Sequence, residues 1–281
     1  MKEGIIVSIK YGTYTVYSEG VFFNTSPRGT LSFKNKFMVG DKVLLSEENY
    51  IIEALLDRKS SLKRPMISNI DQILLVFSLK EPDFSYYLAF KYLTYANYNG
   101  IKASLVLTKS DKSEEKEIDE IKNVFSQIGI DTYVTCSKNS EGIEEIKTLF
   151  KDKISVLIGQ SGVGKSSLLN AISEDFSREV GEYSIALGRG KHQTKEVILL
   201  PYMGGFIADT PGFSSLELDM DKLDVAHYFP SFEKDSLNCF YSNCLHISEK
   251  NCKIKERILE GKIPSIVYDN YLKLLEEVER R

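Results

Sequence analysis

The feature that most constrains the fold is a glycine-rich turn between an apolar run and a helix-forming run. The turn reads GQSGVGKS over residues 159–166 and follows the apolar run ISVLI at residues 154–158. Backbone N–H groups of such a turn can surround phosphate oxygens, and the helix that follows directs its positive dipole end at them. Strand, turn and helix in this order predict a phosphate-binding loop in an α/β domain.

The residues of this loop supply the first group of candidate ligands. Lys165 is expected to reach the β- and γ-phosphates of a nucleotide, and Ser166 to ligate Mg²⁺. The full set of predicted loop contacts is Gly159, Gln160, Ser161, Gly162, Val163, Gly164, Lys165, Ser166 and Ser167.

A second turn, DTPG at residues 209–212, follows a predicted strand. Asp209 can hold Mg²⁺ through water, and the Gly212 N–H can face a γ-phosphate. Alone, this sequence is usually a plain Asp-Pro-Gly turn. Its position downstream of a phosphate loop favours the functional interpretation.

Two segments upstream of the loop can recognise a purine base. TKSD at residues 108–111 follows a predicted strand and includes Ser110; Asp111 can accept the N1 and N2 hydrogens of guanine, and the aliphatic stem of Lys109 can pack on the ring. CSK at residues 136–138 follows the next strand, and the Ser137 N–H can meet guanine O6. Each segment alone is more often a solvated strand end.

The order of these motifs carries further information, because the base-recognising segments precede the phosphate loop. TKSD, CSK, GQSGVGKS, GRGKHQT, DTPG and a terminal cysteine cluster together resemble the circularly permuted GTPases of the RsgA (YjeQ) family. Loops at the carboxyl ends of strands keep their positions when chain connections are moved, so permutation preserves the site.

The resemblance implies an α/β fold in three domains. These are an N-terminal β-barrel (OB-fold) that binds RNA at 1–64, a circularly permuted P-loop GTPase domain at 65–216, and a zinc-binding helical domain at 217–281. The GTPase domain is expected to have a parallel sheet with helices on both faces. The alternating residues of the first segment fit a five-stranded or an SH3-like barrel.

The implied function is a GTP hydrolase that binds the 30S ribosomal subunit and its 16S rRNA, assists late maturation, and turns over GTP to GDP faster on the particle. By resemblance, Thr194 closes on Mg²⁺ and His192 orients the attacking water, because Phe213 occupies the position of the Ras-type glutamine and cannot do so. The alternative is that His192 is only an exposed loop histidine.

The sequence departs from the family pattern at two positions. Thr108 replaces the usual asparagine of the base motif and is expected to weaken loop hydrogen bonds. Gln193 replaces a switch threonine.

The cluster Cys239-x₄-Cys244-x-His246-x₅-Cys252 offers three thiolates and one imidazole. Four such ligands complete a tetrahedral Zn²⁺ shell and leave no position for a reactive water, which predicts one structural zinc per chain. The resemblance places zinc at the same four residues. Free cysteines are the alternative, and Cys136 is assigned no chemistry.

Composition limits the remaining possibilities. The net charge of −4 argues against general coating of nucleic acid, although residues 1–64 carry 10 Lys or Arg against 7 Asp or Glu. The absence of a long apolar run or secretory leader predicts a cytoplasmic protein with no membrane partner. We also expect the protein to be a monomer. A non-hydrolysing purine-nucleotide sensor or a P-loop kinase is the competing function, which relative GTP and ATP affinities would separate.

Overall fold

The computed structural model describes residues 1–29, 31, 36–63, 65–172, 197–209 and 218–280. The chain forms two units whose segments alternate along the sequence. The first comprises Met1–Ile73, Glu144–Leu157 and Leu169–Phe213, and the second comprises Leu74–Ile143, Ile158–Leu168 and Ser214–Arg281. The division into three domains at residues 64 and 216 stays a prediction. Among the described residues, no helix has the length and apolar character needed to cross a bilayer.

The N-terminal strands form the five-stranded antiparallel sheet that the alternating pattern predicts. They are β1 (Lys2–Lys10), β2 (Thr13–Ser18), β3 (Val21–Thr25), β4 (Lys42–Leu45) and β5 (Ile52–Leu55), in the order β3-β2-β1-β4-β5. Residues that lie opposite each other on neighbouring strands point to the same face of a sheet. Ile6 of β1 and its partner Val16 of β2 are accordingly both buried. Val43, Leu45 and Ile52 complete the fully buried part of this core.

A buried carboxylate links this sheet to the short hairpin of β6 (Ser61–Lys63) and β7 (Met66–Ser68). The Arg58 guanidinium donates to both oxygens of Asp41, at 2.6 and 2.8 Å. The Ser68 hydroxyl donates to Oδ1 at 2.6 Å, and the Met38 N–H donates to Oδ2 at 2.7 Å. Because each oxygen has two donors, the fully buried charge of Asp41 is compensated.

Replacing Asp41 with Ala should lower the free energy of unfolding by about 3 kcal/mol, because Arg58 and two further donors lose their acceptor. Urea unfolding of the full chain, followed by circular dichroism, measures the loss. Lys102→Ala is the control: it breaks an exposed 2.9 Å pair with Asp131 and should cost less than about 1 kcal/mol. Equal losses in the two variants would contradict a stabilising role for the buried cluster.

The second sheet has six strands and is mainly parallel, as the sequence predicts. Its strands are β8 (Gln72–Ser78), β9 (Lys102–Thr108), β10 (Thr132–Val134), β11 (Ile154–Ile158), β12 (Ile198–Tyr202) and β13 (Gly205–Asp209), in the order β10-β9-β8-β11-β13-β12. The antiparallel pair β12–β13 departs from the predicted parallel pattern. Only two residues, Met203 and Gly204, join these strands, and a connection that short can make a hairpin but not a parallel crossover.

Helices connect these strands and form the C-terminal segment. They are α1 (Tyr86–Tyr98), α2 (Glu115–Gln127), α3 (Ile143–Leu149), α4 (Lys165–Ile172), α5 (Lys222–Tyr228), α6 (Glu233–Ser236), α7 (Lys253–Leu259) and α8 (Ser265–Glu279). Helix α8 buries its apolar face, including Tyr271, Leu274 and Leu275. It is also attached to α1 by the buried Lys91 ammonium, which lies 2.9 and 3.0 Å from the two Glu277 oxygens.

Candidate functional site

The end of β9 contacts the phosphate loop directly. The Thr108 hydroxyl lies 2.5 Å from the Val163 carbonyl oxygen and 3.2 Å from the Phe77 carbonyl oxygen. A hydroxyl has one proton, so it donates to one of these acceptors at a time, and the shorter contact is the one to the loop. Thr108 is the residue expected to weaken hydrogen bonding here, yet its hydroxyl joins the base-side segment to the loop.

The phosphate loop requires glycine where its backbone approaches its neighbours. A Cβ atom at Gly159 would lie 2.2 Å from the Val76 carbonyl oxygen, and Gly164 has a φ of +94°. Helix α4 begins at Lys165, in the strand, turn and helix order that the sequence predicts. The Lys165 ammonium donates to the carbonyls of Gly159 and Gln160, at 2.6 and 2.7 Å. Partial burial lowers the pKa of this ammonium group below its ordinary value.

Lys109 is a second link between the base-side segment and the loop. Its φ of 60° places it in the left-handed region, directly before the short 3₁₀ turn Ser110–Lys112. The Lys109 ammonium donates to the Gly162 carbonyl at 2.9 Å and also to the Glu81 carbonyl. The aliphatic stem of Lys109 therefore spans the distance between the TKSD segment and the phosphate loop.

The two base-side segments are joined through Asp111 and Glu141. The Lys138 ammonium donates to Asp111 Oδ2 at 2.5 Å, and the Cys136 thiol lies 3.4 Å from Oδ1. The hydrogen bond from Lys138 lowers the pKa of the Asp111 carboxyl group, so the carboxylate is ionised at neutral pH. The Ser110 hydroxyl donates to Glu141 Oε2 at 2.9 Å, and the Cys136 N–H donates to the Glu141 carbonyl at 3.1 Å.

The four predicted metal ligands come together between α6 and α7. Their ligand atoms all lie within 4.8 Å of one another. Cys239 Sγ is 4.0 Å from Cys252 Sγ, and His246 Nδ1 is 3.6 and 3.4 Å from these two sulfurs. Zinc–sulfur bonds of about 2.3 Å in a tetrahedron put sulfurs about 3.8 Å apart. The cluster is therefore of the right size to hold a metal ion.

The surroundings of His246 favour the ligand form of its ring. Nε2 lies 3.3 Å from the Ala226 carbonyl, which can accept its proton and leave Nδ1 as the free donor atom. Burial lowers the pKa of this imidazole and keeps it neutral. The Tyr268 and Tyr271 hydroxyls donate to the carbonyls of His246 and Leu245, at 2.7 and 2.6 Å, and hold the loop in place.

Comparison with known proteins decides the family. The sequence model of the RsgA GTPase family matches residues 54–219. A relative from Halalkalibacterium halodurans, named small ribosomal subunit biogenesis GTPase RsgA, is 41% identical, with 99% of this chain and 98% of the relative covered. The chain belongs to the RsgA GTPase family. A relative of the same name from Geobacillus kaustophilus is 39% identical and covers 100% of this chain and 99% of its own.

Solved structures agree with this assignment. The crystal structure of YjeQ from Thermotoga maritima is 35% identical and superposes with a TM-score of 0.86, covering 100% of this chain and 99% of its own. YloQ, described as a circularly permuted GTPase, is 34% identical with a TM-score of 0.81, covering 100% and 96%. The predicted fold class, a circularly permuted RsgA-type GTPase, is confirmed.

The remaining predicted residues of the RsgA-type site divide into two groups. Ser166 and Ser167 are exposed in the first turn of α4, Ser161 is exposed in the loop, and Ser137 lies in the turn after Cys136. Asp209 ends β13. The other predicted residues lie outside the described part of the chain: His192, Gln193, Thr194, Gly212 and Phe213.

Sequence reasoning did not single out two residues that contact Asp111. Lys138 was read only as part of the CSK segment, and Cys136 was assigned no chemistry. The sequence does place both residues at the strand end that follows the TKSD segment. There a lysine can pair with a carboxylate and a thiol can donate weakly.

Zn²⁺ titrated into metal-free protein at pH 7 should release about three protons, because thiolates rather than thiols bind metal. Burial and nearby thiols raise the pKa of Cys244 to about 12, and burial also raises that of Cys252. Protonation competes with metal, so affinity should rise with pH. Calorimetry in buffers of different ionisation enthalpy counts the protons. Cys136→Ser, outside the cluster, should leave the count unchanged; a count unaltered by Cys252→Ser would contradict the assignment.

Proposed function

We propose that this chain is a GTP hydrolase that assists biogenesis of the small ribosomal subunit. The observation that carries the proposal is the hydrogen bonding of the TKSD segment to the phosphate loop, through Thr108 to Val163 and Lys109 to Gly162. These contacts support a single site that combines a base-side carboxylate with a phosphate-binding loop. Family membership and the names of the relatives support the reaction and its biological setting.

The loop and the start of α4 are assigned to phosphate binding. The backbone N–H groups from Gly159 to Ser167 face the phosphates, and Lys165 exchanges its two carbonyl acceptors for the β- and γ-phosphate oxygens. Ser166, Thr194 and, through water, Asp209 would hold Mg²⁺, whose charge neutralises the bridge between the β- and γ-phosphates. The Gly212 N–H contacts the γ-phosphate.

The two base-side segments, TKSD and CSK, are assigned to guanine recognition. Asp111 accepts from N1 and N2 of the base, and the stem of Lys109, fixed at its end by the Gly162 carbonyl, covers one ring face. Ser110 holds the neighbouring turn through Glu141. The Ser137 N–H donates to O6.

Hydrolysis needs a group that orients water, and His192 is proposed for that role with Thr194 as the switch residue. Phe213 is apolar and cannot hold a nucleophilic water. The activating particle is proposed to position these groups, so turnover should be slow in the free protein. Charge-stabilising groups supplied by a partner are worth about 10³- to 10⁵-fold in related phosphoryl-transfer enzymes. The proposed activator is the 30S subunit with its 16S rRNA.

The Cys₃His cluster is proposed to hold one structural zinc ion per chain. Three thiols and one imidazole fill four positions, so no site remains for a metal-bound nucleophile. When bound, zinc cross-links a segment with a small apolar core and supplies part of its folding free energy. The protein is proposed to act as a cytoplasmic monomer, with the N-terminal barrel and the zinc-binding domain as modules that engage the ribosomal subunit.

GTP turnover by the purified protein should be low alone and should rise at least tenfold with purified 30S subunits, because the particle is proposed to position the groups that orient water. Release of phosphate measures the rate. Lys165→Ala removes the cation that neutralises the β- and γ-phosphates and should abolish stimulated turnover. Purified 50S subunits are the control particle. A rate that 30S does not change would favour a nucleotide sensor instead.

Asp111→Asn should weaken GDP binding by more than about tenfold and should shift preference toward xanthosine diphosphate, because the amide donates where the carboxylate accepted. Isothermal calorimetry with GDP, XDP and ADP tests both changes. Asp119→Asn, on α2, is a surface control and should leave all three affinities unchanged. Equal affinity of the unaltered protein for GTP and ATP would contradict a guanine-specific site and favour a kinase.

A further inference from the structure

We infer that Tyr17 is a positioning residue for the binding of Mg²⁺ and GTP: by packing against Phe206 it fixes the β12–β13 hairpin, whose last residue is Asp209. The inference rests on the proposed function, which assigns Asp209 to Mg²⁺ through water. Tyr17 belongs to β2 of the N-terminal sheet, and none of the nucleotide motifs includes it. The inference therefore gives part of the N-terminal sheet a role in the nucleotide site.

Tyr17 lies on the face of the N-terminal sheet that is opposite to the core of that sheet. The preceding residue, Val16, is fully buried in the core, and successive side chains of a strand point to opposite faces. The cross-strand partners of Tyr17 are Ile5 on β1 and Phe22 on β3. These three side chains form an apolar patch on the outer face. Ile5 is only 8% exposed, so another element covers the patch.

The β12–β13 hairpin is the element that packs against Tyr17. The rings of Tyr17 and Phe206 meet edge to face, with centroids 5.4 Å apart and planes at 88°. This geometry is favoured because the positive edge of one ring meets the negative face of the other. Phe206 is 9% exposed, and both residues belong to the first of the two units. The outer face of the N-terminal sheet thus holds the first turn of β13.

The same part of β13 is also attached to the turn that precedes β11. The Phe206 N–H donates to the Lys153 carbonyl at 2.9 Å. A Cβ atom at Gly205 would lie 2.2 Å from the Lys153 carbonyl oxygen, so only glycine permits this approach. The start of β13 is therefore held by a backbone hydrogen bond at Lys153 and by a ring contact at Tyr17.

A cleft of about 330 Å³ opens beside the aromatic pair. Its walls include Tyr17, Phe206 and charged side chains such as Lys42, Lys59 and Asp152. The cost of removing a side chain depends on how well its neighbours can fill the space that it leaves. Next to an open cleft, the neighbours do not fill the space of the Tyr17 ring. Without that ring the β12–β13 hairpin has room to tilt about its hydrogen bond to Lys153.

A tilt at this end of β13 displaces its other end. β13 runs parallel to β11, with Ala208 opposite Val156, and Asp209 is its last residue. Asp209 therefore ends β13 at the edge of the sheet where β11 leads into the phosphate loop. Three residues, or roughly 10 Å of extended chain, separate Phe206 from Asp209. Mg²⁺ demands near-ideal octahedral geometry, so a displaced Asp209 should weaken its binding.

The experiment measures how the full-length variant Tyr17→Leu binds GMPPNP, a GTP analogue that is not hydrolysed. Calorimetry follows binding in EDTA and at increasing Mg²⁺ concentrations. Loss of the aromatic pair should raise the Mg²⁺ concentration needed for half-maximal tight binding by about three- to tenfold. The affinity in EDTA should change less than twofold, because the proposed nucleotide contacts of Lys109, Asp111 and Lys165 do not involve the hairpin.

The same strand offers a matched control, Tyr14→Leu. The Tyr14 ring meets Phe37 with centroids 5.2 Å apart and planes at 67°, but it packs against the core of the N-terminal sheet and not against the hairpin. This variant should lower the thermal unfolding temperature at least as much as Tyr17→Leu and should leave the Mg²⁺ dependence within twofold.

Two further variants test whether the ring contact itself is responsible. Tyr17→Phe keeps the ring and should retain the Mg²⁺ dependence of the unaltered protein. Phe206→Leu should reproduce the effect of Tyr17→Leu, and the double variant should show no further shift, because each change removes the same pair.

An unchanged Mg²⁺ dependence in Tyr17→Leu would overturn the inference, and so would an equal shift in Tyr14→Leu, since the stability of the sheet alone would then explain it. Equal weakening of GMPPNP binding with and without Mg²⁺ would also contradict it. The proposed function is tested separately on the unaltered protein. If 30S subunits do not raise its GTP turnover but Tyr17→Leu shifts the Mg²⁺ dependence, the ribosomal proposal fails and the inference stands. If GMPPNP binding to the unaltered protein does not depend on Mg²⁺, both the assignment of Asp209 and the inference are wrong.

Discussion

The hydrogen bond between the Thr108 hydroxyl and the Val163 carbonyl is the contact on which the nucleotide site depends. These residues are 55 positions apart, and their contact joins the strand end proposed to recognise the base to the loop proposed to bind phosphates. Lys109 makes a second connection to the same loop through Gly162. Because both links use the ends of neighbouring elements, the order of the segments along the chain does not matter for the geometry. This explains how a permuted sequence keeps a working site.

Much of this arrangement follows from local sequence patterns. The apolar run at 154–158 and the glycines after it predicted β11, the phosphate loop and the start of α4, because close backbone approach and positive φ values demand glycine. The cysteine and histidine spacing predicted a cluster that the structure brings together. In both cases the chemistry requires particular residue types, so the pattern is specific.

Other features depend on tertiary neighbours and could not be predicted. The antiparallel pairing of β12 with β13 follows from the two-residue connection between them, whereas the sequence pattern predicts only a parallel sheet. The sequence places Lys138 at the strand end next to the TKSD segment, but its pairing with Asp111 depends on the path of the turn at 136–141, which local sequence does not define. The four donors to Asp41 come from three separate segments, so no local pattern indicates that this acid is fully buried.

Helix α8 connects the loop of the Cys₃His cluster to helix α1 of the same unit. Its tyrosines, Tyr268 and Tyr271, hold the carbonyls of the cysteine loop, and its Glu277 holds Lys91 of α1. Helix α8 thus contacts both the cysteine loop and helix α1. Removal of the proposed zinc ion by oxidation or chelation would loosen the cysteine loop and, through α8, would weaken the attachment of α1.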